Sequence, residues 1–253
     1  MVDKRYESDA ANVTAHHTVR AYDAELTRLK NIIAELGGLA EHQLASAMTA
    51  LDERNTELAG KIIAGDRRLD ELDAAVNSFV VRLLALRQPM ARDLRLIVSS
   101  LRISSDLERI GDLAKNIAKR TLTLAQSGNV RGPGVARVGR LVQTVLRDII
   151  DAYVADDVEK ATLAWKRDGE IDDLCTALFS DVLAAMVENP QTIAGATHLL
   201  FAIKNIERIG DHANNIAESV HFLVLGHPIG DVRPKGADSS FAVPASTKPR
   251  HEG

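Results

Sequence analysis

One cysteine in 253 residues leaves no partner for an internal disulfide, so nothing in the chain calls for an oxidising compartment. Aromatic residues make up only 4% and tryptophan occurs once, which argues against a β-sandwich or barrel. Proline is absent before Pro89, so the first third of the chain holds nothing that forbids a long helix. The longest run free of Asp, Glu, Lys and Arg is Asn189–Ile203, 15 residues, short of the roughly 18 that a membrane span needs. Lys4, Arg5, Glu7 and Asp9 replace the apolar core of a signal peptide. The expected location is cytoplasmic, without membrane insertion. Thirty-one basic residues against 35 acidic give a net charge of −4, so nucleic acid is not an expected partner. There is no glycine-rich phosphate loop, no Gly-x-Ser-x-Gly elbow and no triad signature, so no enzyme is expected.

What the chain has is alanine and leucine, 35 and 29 residues, a quarter of the total. These favour helix. Leu26, Leu29, Ile33, Leu36, Ala40, Leu44, Ala47 and Leu51 step by three or four. So do Leu69, Leu72, Val76, Phe79, Leu83 and Leu86, and again Ile103, Leu107, Ile110, Ala114, Ile117, Thr121 and Leu124. Each set is a stripe along one helix face. Asn55 suits the N-cap of a second helix and Pro89 the first turn of a third. The segment 127–134 is rich in Gly and breaks the pattern, after which 135–154, 156–188 and 190–225 repeat the order helix, helix, helix. The spacing predicts an all-α chain of six helices in two tandem three-helix bundles. A loose N-terminus covers 1–15, the first bundle 16–126, a linker 127–134 and the second bundle 135–226. A disordered tail covers 227–253, where four of the seven prolines crowd.

The bundles repeat in sequence as well. Asp106–Ala118 lies 99 residues ahead of Asn205–Ala217, and nine of the thirteen positions are identical through the shared Glu-Arg-Ile-Gly-Asp core. Asp66–Leu72 matches Asp168–Leu174 at a shift of 102. Two motifs in the same order at nearly the same shift indicate duplication of one helical unit.

Each repeat carries two acid pairs spaced i, i+4: Asp66/Asp70 and Glu108/Asp112, then Asp168/Asp172 and Glu207/Asp211. Carboxylates so spaced are helix neighbours that repel by roughly 0.2–0.5 kcal/mol. A hard cation reverses that sign, because oxygen ligands at this spacing can bridge it. With 35 acids in 253 residues about five such pairs arise by chance, so the duplicated arrangement is the signal rather than any one pair. At 100° per residue, the Glu108/Asp112 midpoint lies roughly 160° from its apolar stripe and Asp66/Asp70 roughly 110° from theirs. The expectation is therefore an open metal cluster on the bundle surface, with the solvated acidic face as its plain alternative. Asn116 and Asn215 extend the same face. Gly111 and Gly210, mid-helix at a cost of about 1 kcal/mol each, leave room for another helix or a ligand. Arg109 and Arg208 can pair with adjacent carboxylates or meet an anionic partner. No His stands three residues after a motif Glu, as a ferritin-like di-iron site requires, and Cys175 receives no role.

The duplicated Glu-Arg-Ile-Gly-Asp-x-x-x-Asn-Ile-Ala segment resembles the signature of the PhoU family of phosphate-transport regulators. Arg87–Leu96, Gly37–Leu44 and Glu188–Ile193 resemble its other segments, so the likeness covers about Tyr22 to Gly226. The resemblance implies two three-helix bundles with pseudo-twofold symmetry, in a cytoplasmic homodimer that represses the phosphate-starvation response. It implies action between the ATPase subunit of the high-affinity phosphate ABC transporter and a phosphate-sensing histidine kinase. It also implies that Asp66, Asp70, Glu108, Asp112, Asp168, Asp172, Glu207 and Asp211 bind metal, whether iron, zinc, magnesium or manganese. Arg109, Arg208, Asn116 and Asn215 are the expected partner contacts. The alternative is a carboxylate bundle that stores metal or uses it in catalysis.

Overall fold

The computed structural model describes residues 4–127, 132 and 134–230, with side chains from Arg20 onward. Eight α-helices fill it: α1 (Lys4–Glu53), α2 (Thr56–Gly65), α3 (Arg67–Arg87), α4 (Ala91–Gln126), α5 (Val135–Ala155), α6 (Val158–Trp165), α7 (Asp168–Glu188) and α8 (Ile193–Leu225). A 3₁₀ turn, Pro190–Thr192, leads into α8, and there is no strand among the described residues. The chain is all-α and forms two tandem bundles of three arms each. The arms are α1, α2–α3 and α4 in the first bundle, and α5, α6–α7 and α8 in the second.

The middle arm of each repeat was expected as one helix and is two. Asp66 stays in the right-handed helical region (φ −58°, ψ −32°), so the break there is a kink rather than a loop. Gly65 weakens the helix at that point. The arms otherwise start as their sequences dictate. The Asn55 side chain accepts from Leu58 N–H at 2.9 Å, and Asp157, 102 residues later, accepts from Lys160 N–H at 2.9 Å. Pro89 lies two residues outside α4, not in its first turn. The first helix takes in residues 4–15, expected to be loose, because that stretch contains neither proline nor glycine to stop it. Most of the expected linker 127–134, and the tail beyond residue 230, lie outside the described residues.

All of the stripe on α4 from Ile103 to Leu124 is buried. On α3 the buried line runs Leu69, Leu72, Val76, Val80, Leu83, leaving Phe79 partly covered and Leu86 65% exposed. Two central helices, α4 and α8, pack against each other, and α1 crosses α5 beside them. That second crossing shows the pseudo-twofold directly. A Cβ on Gly37 would meet Ile150 at 3.1 Å, and one on Gly139 would meet Met48. Each partner lies 102 residues from its mate, so the two contacts are one contact used twice.

The motif glycines serve the same purpose within each repeat. A Cβ on Gly210 would stand 3.2 Å from Ile171, and one on Gly111 would run into Leu69 Cδ1. Another helix does approach where the side chain is missing. Gly111→Ala should therefore destabilise by about 1–2 kcal/mol, overpacking against buried Leu69 outweighing the gain of about 1 kcal/mol in helix propensity. Thermal unfolding should show a smaller loss for Gly210→Ala; equal or higher melting temperatures for both would contradict the packing argument.

Candidate functional site: two unequal carboxylate clusters

In the first repeat the kink turns Asp66 inward, where it is 6% exposed. Its Oδ1 accepts from Gln43 Nε2 at 3.1 Å, and its Oδ2 accepts from Lys115 Nζ. The same ammonium donates to Asp112 Oδ1 at 2.7 Å. Arg109 lies over the outer side, 3.3 Å from Asp112 Oδ2 and 3.4 Å from Glu108 Oε2. Asp73 joins the group, accepting from Ser104 Oγ at 2.5 Å. Burial raises the Glu108 carboxyl above its ordinary range, and Asp112, Asp70 and Asp73 add to the effect. Burial works against charge on Asp112 too, but Lys115 overrides it and holds that carboxyl below its ordinary value. Lys115 is correspondingly held above the ordinary lysine range: burial opposes its charge, and the bonds to Asp112 and Asp66 outweigh that.

In the second repeat Asp168 opens α7 and is 2% exposed. Asp172, Glu207 and Asp211 are half-buried nearby, and Lys204 Nζ donates to Glu207 Oε1 at 2.6 Å. Cys175 stands where the first repeat has Asp73. Burial pushes its thiol up to about 12, and the negative charges of Glu207, Asp172 and Asp211 contribute. The expected pairs are thus brought together within each repeat. Asp70 is exposed, and Glu108 and Asp112 are half-buried like Asp172, Glu207 and Asp211, so of the eight expected acids only Asp66 and Asp168 depart from the expected open surface. Asp66 and Asp168 are buried, because a helical wheel drawn through the middle arm does not survive its break.

The repeats differ most at a position that the motif alignment marks only as a mismatch. Lys115 corresponds to Asn214, at the shift of 99. Asn214 is fully buried, and neither its Oδ1 nor its Nδ2 has a hydrogen-bond partner. Gln43, the other partner of Asp66, corresponds to the buried Val145. Among the described residues no three His, Cys, Asp or Glu side chains converge as a ready-made metal site. Each cluster has a lysine: Lys115 reaches two carboxylates of the first, Asp66 and Asp112, and Lys204 reaches Glu207 of the second. On α8 of the second, the buried Asn214 amide replaces Lys115, and an amide oxygen, like a carboxylate, is an oxygen donor of the kind a hard cation takes.

The expected partner contacts separate as well. Arg109 is engaged by its own helix, whereas Arg208 is exposed and has no ion pair among the described residues. Asn116 is half-buried. Asn215 turns inward, not toward a partner: its Nδ2 donates to Asp106 Oδ1 at 3.3 Å, and His212 Nδ1 lies 2.8 Å from the same oxygen. These contacts tie α8 to α4 along the central seam. Just beyond them a cleft of about 650 Å³ opens between Arg102, Asp106, Trp165, Glu218 and Phe222. Sequence reading missed the seam and the cleft, since both need residues from two repeats.

Comparison with known proteins agrees with this architecture. The model of the PhoU domain matches twice, at residues 33–121 and 135–220. A phosphate-specific transport system accessory protein PhoU homolog of Caulobacter vibrioides is 46% identical over 221 residues, covering 87% of this chain and 96% of that protein. One of Rhizobium meliloti is 43% identical, over 87% of this chain and 93% of its own length. The crystal structure of PhoU from Pseudomonas aeruginosa superposes with a TM-score of 0.80 at 35% identity, over 81% of this chain and all of that one. The phosphate transport system regulatory protein PhoU from Streptococcus pneumoniae gives 0.78 at 30% identity, over 83% of this chain and all of its own. With its helical unit duplicated, its motif acids paired in each copy and both copies matched, this chain belongs to the PhoU family.

Proposed function

We propose that the chain is a cytoplasmic negative regulator of the phosphate-starvation response, linking a high-affinity phosphate ABC transporter to a sensor histidine kinase. The observation that carries this is the near full-length likeness to proteins named as accessory to phosphate-specific transport. The architecture suits the role. Large apolar side chains are exposed at the α3–α4 end of the first repeat, including Val81 at 66% and Met90 at 79%. The matching α7–α8 end of the second exposes Leu183 at 40% and Val187 at 81%. Exposed apolar side chains on both repeats of one scaffold suit reversible association, and would let one repeat meet the transporter's ATPase subunit and the other the kinase. The working unit would be a homodimer, and the adaptor itself would make and break no bonds.

Metal enters this reading as a structural or sensing element on the carboxylate clusters. The alternative, a carboxylate bundle that stores or uses metal, draws its support from the same acids and from the orphaned Asn214 amide.

Deleting the gene should switch phosphate-scavenging genes on in high phosphate, and restoring the intact protein should switch them off. Arg208→Glu should weaken repression with the helical content unchanged, and Arg109→Glu should do so less, since that guanidinium is already paired. A reporter that stays phosphate-repressed in the deletion strain, with no second copy of the gene, rules the regulatory reading out.

A further inference from the structure

We propose that the cleft where α4, α6 and α8 meet is a docking site for a peptide segment of another protein that presents an arginine or lysine side chain. The carboxylates of Asp106 and Glu218 receive its cationic head, and Arg102 receives a main-chain carbonyl beside it. Occupancy of the cleft does not depend on the regulatory reading.

Asp106 and Glu218 each have one oxygen engaged and one open. Asp106 Oδ1 accepts from Asn215 Nδ2 at 3.3 Å and lies 2.8 Å from His212 Nδ1. Glu218 Oε1 accepts from Trp165 Nε1 at 3.1 Å. Among the described residues, Asp106 Oδ2 and Glu218 Oε2 have no hydrogen bond or ion pair. Arg102 stands four residues before Asp106 on α4, a spacing at which opposite charges on a helix pair. Yet it is exposed and has no ion pair among the described residues, because Asp106 is drawn toward α8 by His212 and Asn215. Phe222 and Ile229 give the cleft an apolar wall.

The ionisable groups of the lining are one guanidinium against two carboxylates. A free inorganic anion would meet the carboxylates, and a bare metal ion would meet the unpaired guanidinium. A cationic head carried beside a hydrogen-bond acceptor satisfies all three groups, and a basic residue within a peptide is that combination. A volume of about 650 Å³ lies within the range of ligand pockets and is more than one free amino acid fills. Trp165, His212 and Asn215 hold the two carboxylates in place before anything binds, so little side-chain freedom is lost on association. The other side of the α4–α8 seam has no such site. At the shift of 99, Arg102 corresponds to Phe201, Asp106 to Asn205 and Glu218 to Lys119. There the Arg120 guanidinium lies over the Phe201 ring, 4.7 Å from its centroid. The duplicated frame is kept, and the pair of carboxylates is present once.

The test is calorimetric titration of the full chain with the peptide acetyl-Ala-Ala-Arg-Leu-Ala-amide. Fluorescence is followed in parallel, since Trp165 is the one tryptophan and bonds Glu218. Saturable heat and a fluorescence change should appear together. The same peptide with citrulline for arginine keeps the shape without the charge, and should bind about tenfold more weakly or worse. Glu218→Gln keeps an acceptor for Trp165, and Asp106→Asn keeps one for His212 and Asn215. Each should weaken binding about tenfold, and so should Arg102→Phe, which copies the other side of the seam on an exposed position. Wild-type chain with no saturable binding overturns the proposal. Equal affinity for the citrulline peptide, or affinity unchanged in both Glu218→Gln and Asp106→Asn, overturns it as well. Free L-arginine binding as tightly as the peptide overturns the peptide assignment and gives the cleft to a small molecule. Repression by phosphate is read in cells, not here, so either reading can fail while the other stands.

Discussion

Lys115→Met should lower the stability of the chain by about 2–3 kcal/mol in urea unfolding. Removing one member of a buried ion pair typically costs about 3–5 kcal/mol, because the other charge is left without compensation. The lysine side chain here is 21% exposed and Asp66 8%, which places the expected loss below that range. Gln43 remains as a donor to Asp66 but carries no charge. Asp66→Leu in the same chain should recover most of the loss, since burying neither charge costs less than burying one. The pH dependence has a definite sign. Asp112 is held below its ordinary 3.8, so its share of the stability is present above that value and disappears as pH falls through the lowered one. Lys115 is held above its ordinary 10.5, so its share is present below 10.5 and disappears at higher pH. Wild type and Lys115→Met should accordingly differ most between these limits and converge in strong acid. A difference below 0.5 kcal/mol at neutral pH, on the order of an exposed pair, would show the contact to be superficial.

Trp165→Ala should cost more, about 4 kcal/mol. The indole is 2% exposed and among the largest fully buried side chains, and it closes α6 against α8. Its Nε1–H donates to Glu218, so truncation opens a cavity and strips a donor from a half-buried carboxylate at once. Trp165→Phe keeps most of the volume and should lose only about 1–2 kcal/mol. Chemical denaturation followed by circular dichroism measures both. Because Trp165 is the one tryptophan, its fluorescence in the unaltered chain also reports the α6–α7 break. A loss under 1 kcal/mol in Trp165→Ala would mean that α6 is not held by this contact.

The arms were legible because each solves a one-dimensional problem. Ile103, Leu107, Ile110, Ala114, Ile117, Thr121 and Leu124 recur at the period of a helix, and a helix with such a stripe must bury it. Caps such as Asn55 are equally local, a side-chain oxygen and a backbone N–H three residues on. The breaks at Asp66 and Arg167 were not legible. A helical period continues across each, and what ends the helix at Asp66 is a buried site that Gln43 and Lys115 complete from 23 and 49 residues away. The α3 stripe slipped for a related reason: choosing Val80 over Phe79 depends on which neighbour lies across the groove, not on spacing alone.

The sequence by itself determined that the chain is helical and that its unit is duplicated, acid pairs included. Repeated spacing and repeated identity are properties of a string of residues, and they pass into structure through backbone geometry that is the same everywhere. Only the tertiary structure decided that Asp66 and Asp168 face inward, that Asn215 and His212 meet Asp106 across the central seam, and that Arg109 is paired where Arg208 is not. It also separated the two clusters: Lys115 bridges Asp66 and Asp112 in the first, whereas at the corresponding position of the second the buried Asn214 amide has no hydrogen-bond partner. Burial and charge compensation are set by what packs from elsewhere in the chain, and the energy of a carboxylate depends on those neighbours far more than on its own place in the motif.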